Sequence, residues 1–385
     1  MQKRRSLSRC SFTATCLAAA CVLGSLFLHA QQTPAQEDSL DAQQKQVKPF
    51  TETDVSLDRR IDRDRKTIDF TYPYETTLEP ADIHVGDRRH MEETGNASTI
   101  SLTGILQRIN LDKDTYRQGE IARLHITAVA PLERAEITFL WRTYDLYPVD
   151  TTATMYTTVL GVPMTADTGQ YTMTLKYQDG DEYKSLQLPF RVIAGSFSEE
   201  DTAELDIHIL TEETLEMLKF EGSYFARAYG VSPEVVMYTG DFIWPCPGRI
   251  TGLFGTPRKY NQDMDEWSHK AVDIANAVGT KVYAANSGVI ALAKNLDVHG
   301  KSIVIAHGGG IHSVYLHLDS LYVEKNDKVK KGQLIGRLGK TGLCTGPNCH
   351  FGIVVNRVHT DPRYWMEDQP ELKKGLWVES QLTKK

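Results

Sequence analysis

Four side chains in the C-terminal third could do chemistry together. They are His269 and Asp273 in "SHKAVDIA", His317 in "VYLHLDS" and His350 in "TGPNCHFGI". Two imidazoles and a carboxylate form a donor set that zinc accepts, and a catalytic zinc keeps three protein ligands and a fourth place for water. His269, Asp273 and His350 are the ligand candidates. His269 precedes a strand that begins "VDIA", Asp273 points off the start of that strand, and His350 opens another strand. A metal held there turns water into a nucleophile near neutral pH and polarises the carbonyl under attack. The period of two along "HSVYLHL" puts His317 on the strand face of Ser313 and Tyr315 and predicts that it joins the site. There it would carry a proton or donate a hydrogen bond to an oxyanion. His312 has the opposite parity and is expected to face away. His307 and His359 read as turn or surface residues and His299 as a loop residue.

Two residues before His350, where a histidine would complete an H-x-H pair, stands Asn348. An amide donates a hydrogen bond but exchanges no proton near neutral pH. Losing one general acid–base group costs about 10²–10⁴-fold in rate. H-x-x-x-D alone is a short motif that matches by chance, so order and context carry the argument.

The elements that must position these residues are mainly β. Residues 99–195 alternate in short strands, with Leu124, Ile126 and Ala128 of "ARLHITAVA" on one face and turns at "ADTGQ" and "QDGDE". This pattern predicts an Ig-like β-sandwich without a metal or nucleophile pattern. Residues 196–241 form a linker with one helix, "TEETLEMLKFEGSYFARAYG". Thr211 caps it, Glu212 and Glu213 suit its positive end, and Gly230 stops it. Its stripe of Leu215, Leu218, Gly222, Phe225 and Tyr229 is core packing. Residues 242–368 read as a bent antiparallel sheet domain with barrel-like closure, in which Asn326 supplies a left-handed turn residue. Residues 369–385 are a tail.

Residues 1–30 have the form of an export signal: Lys3, Arg4, Arg5 and Arg9, an apolar run over residues 17–28, then Leu28-His29-Ala30. A lipobox at Cys21 and an uncleaved anchor are the alternative readings, and membrane contact is expected only through this segment. Residues 31–98 form a polar, mixed-charge linker. The net charge of −7 gives no basic field, so nucleic acid is not an expected partner. Loss of the signal would remove Cys10, Cys16 and Cys21 and leave Cys246, Cys344 and Cys349. Cys344 and Cys349 lie close enough in sequence to bridge, with buried thiols as the alternative.

Residues 242–365 resemble the lysostaphin-like zinc metalloendopeptidases, through "FIWPCPGRITGLFGTPRKYN", "SHKAVDIANAVGTKVYAANSGVI", "GKSIVIAHGGGIHSVYLHL", "VKKGQLIGRLGKTG", "TGPNCHF" and "TDPRYW". The region before them resembles, more loosely, the Ig-like domain and joining helix of some exported members. The resemblance implies an enzyme that cuts peptide cross-links of peptidoglycan, and with the export signal its expected place is the periplasm, the cell envelope or the extracellular space. It implies Zn²⁺ on His269, Asp273 and His350, His317 as a catalytic histidine, and a degenerate second catalytic position at Asn348. Ala271, Cys349 and Gly352 also depart from the family's usual Gly, Leu and acidic or polar residue. These departures open two other readings: a weakened or inactive wall-binding module that keeps the fold, and an envelope protein whose sandwich binds a protein partner.

Overall fold

The structure is a computed structural model that describes residues 92–94, 97–102, 104–149, 151–197, 203–204, 211–233, 235–259, 267–366 and 375–379. The expected signal and nearly all of the polar linker lie outside the described residues. Alternating apolar and polar residues dominate the described segments, and the fold is accordingly mainly β with one α-helix. No helix among the described residues is long and apolar enough to cross a membrane.

The first part is a pair of sheets around one core. The six-stranded sheet runs Glu92–Thr94, Ala97–Ser101, Leu106–Leu111, Ile121–Ala128, Met155–Gly161, Tyr147–Pro148. The five-stranded sheet runs Thr115–Arg117, Glu182–Ile193, Gly169–Asp179, Ala135–Phe139, Arg142–Asp145. Leu124 and Ile126 from one sheet meet Ile137, Phe139, Leu175 and Phe190 from the other, and Phe139 stacks on Phe190 at 4.7 Å. Burial of these alternating apolar faces supplies the driving force.

The linking helix, Glu212–Ala228, is capped by the Thr211 side chain, which accepts from the Thr214 amide. Its buried face differs from the expected stripe. Phe225 is buried, but its companions are Glu221 and Ala228, while Leu215 and Leu218 are half-exposed. The hydrophobic spacing located the right side of the helix and missed a carboxylate in the middle of it.

The second part is an eleven-stranded antiparallel sheet. Its path runs Lys328–Val329, Gly288–Asn295, Lys301–Gly308, Ile311–Leu321, Asn348–Val355, Val272–Ala275, Gly248–Gly252, Trp377–Val378. Leu334–Leu338 and Lys281–Tyr283 branch from Ile311–Leu321, and Val358–Thr360 pairs with Asn348–Val355. Trp377–Val378, a tail by its sequence, thus completes a sheet edge. Asn326 adopts φ 77° as its turn requires. Strand alternation sorts the side chains onto two faces. Cys349, Phe351, Ile353 and Val355 enter the main core with Tyr315 and Ile274, whereas Val354, Val314 and Leu316 form a second cluster under Phe225 and Ala228 of the helix. The even-numbered face is the one that carries His350.

The two parts share a packed boundary. Ile121 and Val159 of the sandwich belong to the main core of the large sheet, Arg123 donates to the Tyr364 carbonyl at 3.0 Å, and the Asp361 amide donates to the Gly119 carbonyl at 2.8 Å. Gly161 packs tightly at this boundary, since a Cβ would lie 3.0 Å from the Val358 side chain and 3.1 Å from that of Thr360.

Candidate metal centre

Strand register builds the site. Val272–Ala275 pairs with Asn348–Val355 so that Asp273 sits directly opposite His350, and Gly252 of the next strand sits opposite Asp273. Directly opposed residues share a face, so Asp273 and His350 are brought side by side. His269, in the segment leading into the first of these strands, completes the group. Asp273 Oδ1 is 2.9 Å from His350 Nδ1 and 3.1 Å from His269 Nε2, and those two nitrogens are 3.1 Å apart. All three ligand atoms lie within 4.8 Å of one another, an arrangement able to hold a metal ion.

Two features fit this set to zinc. Bonds of about 2.0–2.1 Å in tetrahedral geometry separate ligand atoms by about 3.3–3.4 Å, close to the spacings here. The tautomers also suit. His269 Nδ1 donates to the Leu253 carbonyl at 2.8 Å, which leaves Nε2 bare and aimed at the other ligands. Asp273 is held from behind by Arg258, whose Nη2 donates to Oδ2 at 2.6 Å. Burial alone would raise the Asp273 carboxyl, but the imidazoles of His269 and His350 hold it well below the usual carboxylate range. Burial lowers His350 to about 4 against the opposing pull of Asp273, so its ring is neutral at pH 7. Neutral imidazole and ionised carboxylate are the forms that ligate. Arg258 and Leu253 had no distinguishing signal in the sequence, because their roles depend on packing alone.

His317 joins the site by a route that parity did not foresee. Ser313 and Tyr315 face inward, where Ser313 Oγ bridges His307 Nε2 at 2.8 Å and the Tyr315 hydroxyl at 2.9 Å. A regular strand would have buried His317 with them. Instead His317 takes φ 63°, and the strand pairing shifts register just beyond it. Leu316 lies on the outer cluster and Leu318 on the inner core, so the change of face occurs at His317 itself. Its ring stands 6.1 Å from that of His350 at 82°. Nδ1 donates to the Thr341 carbonyl at 2.9 Å, leaving Nε2 as the free nitrogen. Burial lowers its pKa, partly offset by that carbonyl.

Other expected placements change. His307 is fully buried, donating Nδ1 to the Ser287 carbonyl at 2.7 Å, with burial lowering its pKa to about 3. His359 lies in the strand Val358–Thr360 with its ring edge-on to Tyr229, and burial lowers it to about 3. Neither is the turn or surface residue that its sequence context predicts; the apolar strands around them enclose polar rings that single-residue spacing cannot locate. His312 does not face away from the ligand-bearing face. It lies farther along the strand, covered by the end of the helix segment, with Nε2 2.8 Å from the Val231 carbonyl.

Asn348 opens the strand two residues before His350. It is half-buried, its Nδ2 donates to the Gly346 carbonyl at 2.9 Å, and its Oδ1 is buried with no hydrogen-bond partner among the described residues. Ala271 and Gly352 face each other: a Cβ on Gly352 would sit 3.5 Å from that of Ala271. The added methyl therefore lies opposite a residue without a side chain. Cys349 points away from Cys344 into the main core. There its contact with the Cys246 thiol, together with burial, pushes its pKa well above the ordinary thiol value. All three described cysteines are free thiols.

Residues 267–362 match the family model described as Peptidase family M23, and the chain carries a domain of that family. The chain is 40% identical over 107 residues to the peptidoglycan DD-endopeptidase ShyA of Vibrio cholerae, covering 28% of this chain and 25% of that protein. It is 29% identical over 153 residues to the DD-carboxypeptidase/endopeptidase Mpg of Neisseria meningitidis, covering 40% and 33%. Among solved structures, the catalytic domain of the antimicrobial peptidase lysostaphin from Staphylococcus simulans is 31% identical. That match covers 30% of this chain and 89% of that one, with a TM-score of 0.27. The chain spans about a quarter to a third of the length of these two curated relatives.

Proposed function

We propose that this chain, through its M23 peptidase domain, is an exported zinc metalloendopeptidase that hydrolyses peptide cross-links of bacterial peptidoglycan. The observation that carries the reading is the convergence of His269 Nε2, Asp273 Oδ1 and His350 Nδ1 beside His317. Relatives named as peptidoglycan DD-endopeptidases support the substrate class, and the cationic and apolar N-terminus supports export.

Bound zinc would supply a Lewis acid for the scissile carbonyl and lower the pKa of water toward neutrality. His269 and His350 would hold it as neutral donors, and Asp273 would offset part of its charge. Arg258 and the Leu253 carbonyl orient two of these ligands. His317 works at Nε2, since Nδ1 is committed to Thr341. A neutral ring accepts a proton there and returns it to a leaving amine. Asn348 offers an amide at a position where a proton carrier would complete the pair, which favours a slower enzyme.

The test is direct. The mature chain, residues 31–385, should hold about one zinc and open cross-linked muropeptides. Metal-replete protein that cleaves no wall chemistry refutes the reading. Asn348 favours one alternative, a wall-binding module that retains the fold and the metal. That alternative predicts sacculus binding indifferent to His317→Ala, and turnover abolished by this change counts against it.

A further inference from the structure

The linking helix carries one buried charge, and it serves the catalytic side of the sheet. Glu221 is 2% exposed. Its Oε1 accepts from the amides of Asp297 at 2.6 Å and Val298 at 2.9 Å. Its Oε2 accepts from the His299 amide at 3.0 Å and from His299 Nδ1 at 2.6 Å. The His299 ring also packs on Phe225 of the same helix at 4.7 Å. Burial would raise the carboxyl, but these hydrogen bonds reverse the effect and hold it at about 2. Four donors thus converge on one ionised group, a charge-assisted set stronger than neutral hydrogen bonds.

What the clamped segment touches is His317. The His299 carbonyl accepts from the His317 amide at 3.2 Å, at the residue whose φ of 63° turns the strand. On its other side, the Val298 carbonyl accepts from Leu343 at 2.7 Å, and Gly300 at φ 65° lies against Thr341. Thr341 is the residue whose carbonyl accepts the hydrogen bond from His317 Nδ1–H. One short loop, residues 297–300, therefore supports both the backbone and the ring of His317.

We propose that Glu221 is a positioning residue: from the linking helix, it holds residues 297–299 in the form that sets the backbone turn and the Nδ1–H tautomer of His317. A left-handed non-glycine residue is strained and persists only where its surroundings impose it. The Glu221 clamp is the fixed point of those surroundings. The proposal rests on the reading of His317 as proton carrier, and it makes the helix part of the catalytic apparatus rather than a spacer.

The experiment uses the zinc-loaded mature chain with Glu221→Gln and His299→Ala, and Glu216→Gln on the exposed side of the same helix as control. Glutamine keeps the size but presents an NH₂ to donors. The readouts are zinc content, kcat and KM on cross-linked muropeptides, and the imidazole nitrogen shifts of His317, which report its tautomer without turnover. Zinc content and KM should hold while kcat falls about 10–100-fold in Glu221→Gln. His299→Ala should fall less, and His317 should become a tautomer mixture in both. An unchanged tautomer with unchanged kcat overturns the proposal, as does a loss confined to zinc content. If Glu221→Gln does not fold, His299→Ala decides by the same criteria. If the wild-type protein cleaves nothing, the functional reading fails and the tautomer measurement alone decides the positioning role.

Discussion

His269 Nε2 and His350 Nδ1 stand 3.1 Å apart although 81 residues separate them in the chain. The Asp273 carboxylate reaches both, and the antiparallel pairing that sets Asp273 opposite His350 closes the gap. A cluster of bare donor atoms around one carboxylate oxygen is poised for a cation.

Asp273→Asn keeps the shape of this centre and removes its charge. Zinc affinity, measured by competition with a chromogenic chelator, should fall by at least about tenfold, because Asp273 is the anionic member of the three candidate ligands and its Arg258 partner would then face an amide. Unchanged affinity would place the metal elsewhere.

Gly252 and Gly352 should respond in opposite ways to alanine. A Cβ on Gly252 would lie 2.5 Å from Asp273 Oδ2 and 2.9 Å from Arg258 Nη2, so it must displace the pair that orients the ligand. A loss of about 10–100-fold in zinc affinity is expected. A Cβ on Gly352 meets Ala271 at an ordinary 3.5 Å, and Gly352→Ala should cost under about 1 kcal/mol in a urea melt.

Asn348→His should raise muropeptide hydrolysis by about tenfold or more, with the zinc content unchanged, by restoring a group that exchanges protons near neutral pH. The present amide satisfies only Nδ2, so little local bonding is lost. Comparing kcat between wild type and variant decides it. An equal rate would mean that the amide already suits the reaction.

The Glu221 carboxyl, held at about 2 against an ordinary 4.5, sets a pH window for stability. A depressed carboxylate pKa stabilises the fold fully above its unfolded value, and that stability is lost as pH falls through the folded value. The advantage of wild type over Glu221→Gln in denaturant melts should therefore be constant at neutral pH and shrink between about pH 4.5 and 2. A gap that persists at pH 2 would mean that the charge is not what the loop requires.

Much of this was legible in the residues alone. Period-two alternation marked the strands, because side chains on a pleated strand must sort apolar from polar by face. Thr211 and Phe225 marked the start and packed side of the helix, and Asn326 marked its turn. The zinc-type donor set stood out by chemistry, since His269, Asp273 and His350 are types that metals select.

Other features came from tertiary structure. Cys349 meets Cys246 rather than Cys344 because alternate strand residues face opposite ways, and His350 takes the outer face. The face on which His317 emerges depends on one backbone dihedral imposed by contacts from residues 299 and 341, which no periodicity encodes. Glu221 carries no distinguishing signal in the helix sequence; its role comes from the amides of residues 297–299 that close over it. Sequence specifies which groups are available and the local period that sorts them. Register, a single left-handed residue and the donors around a buried carboxylate are long-range relations, decided only when distant segments pack.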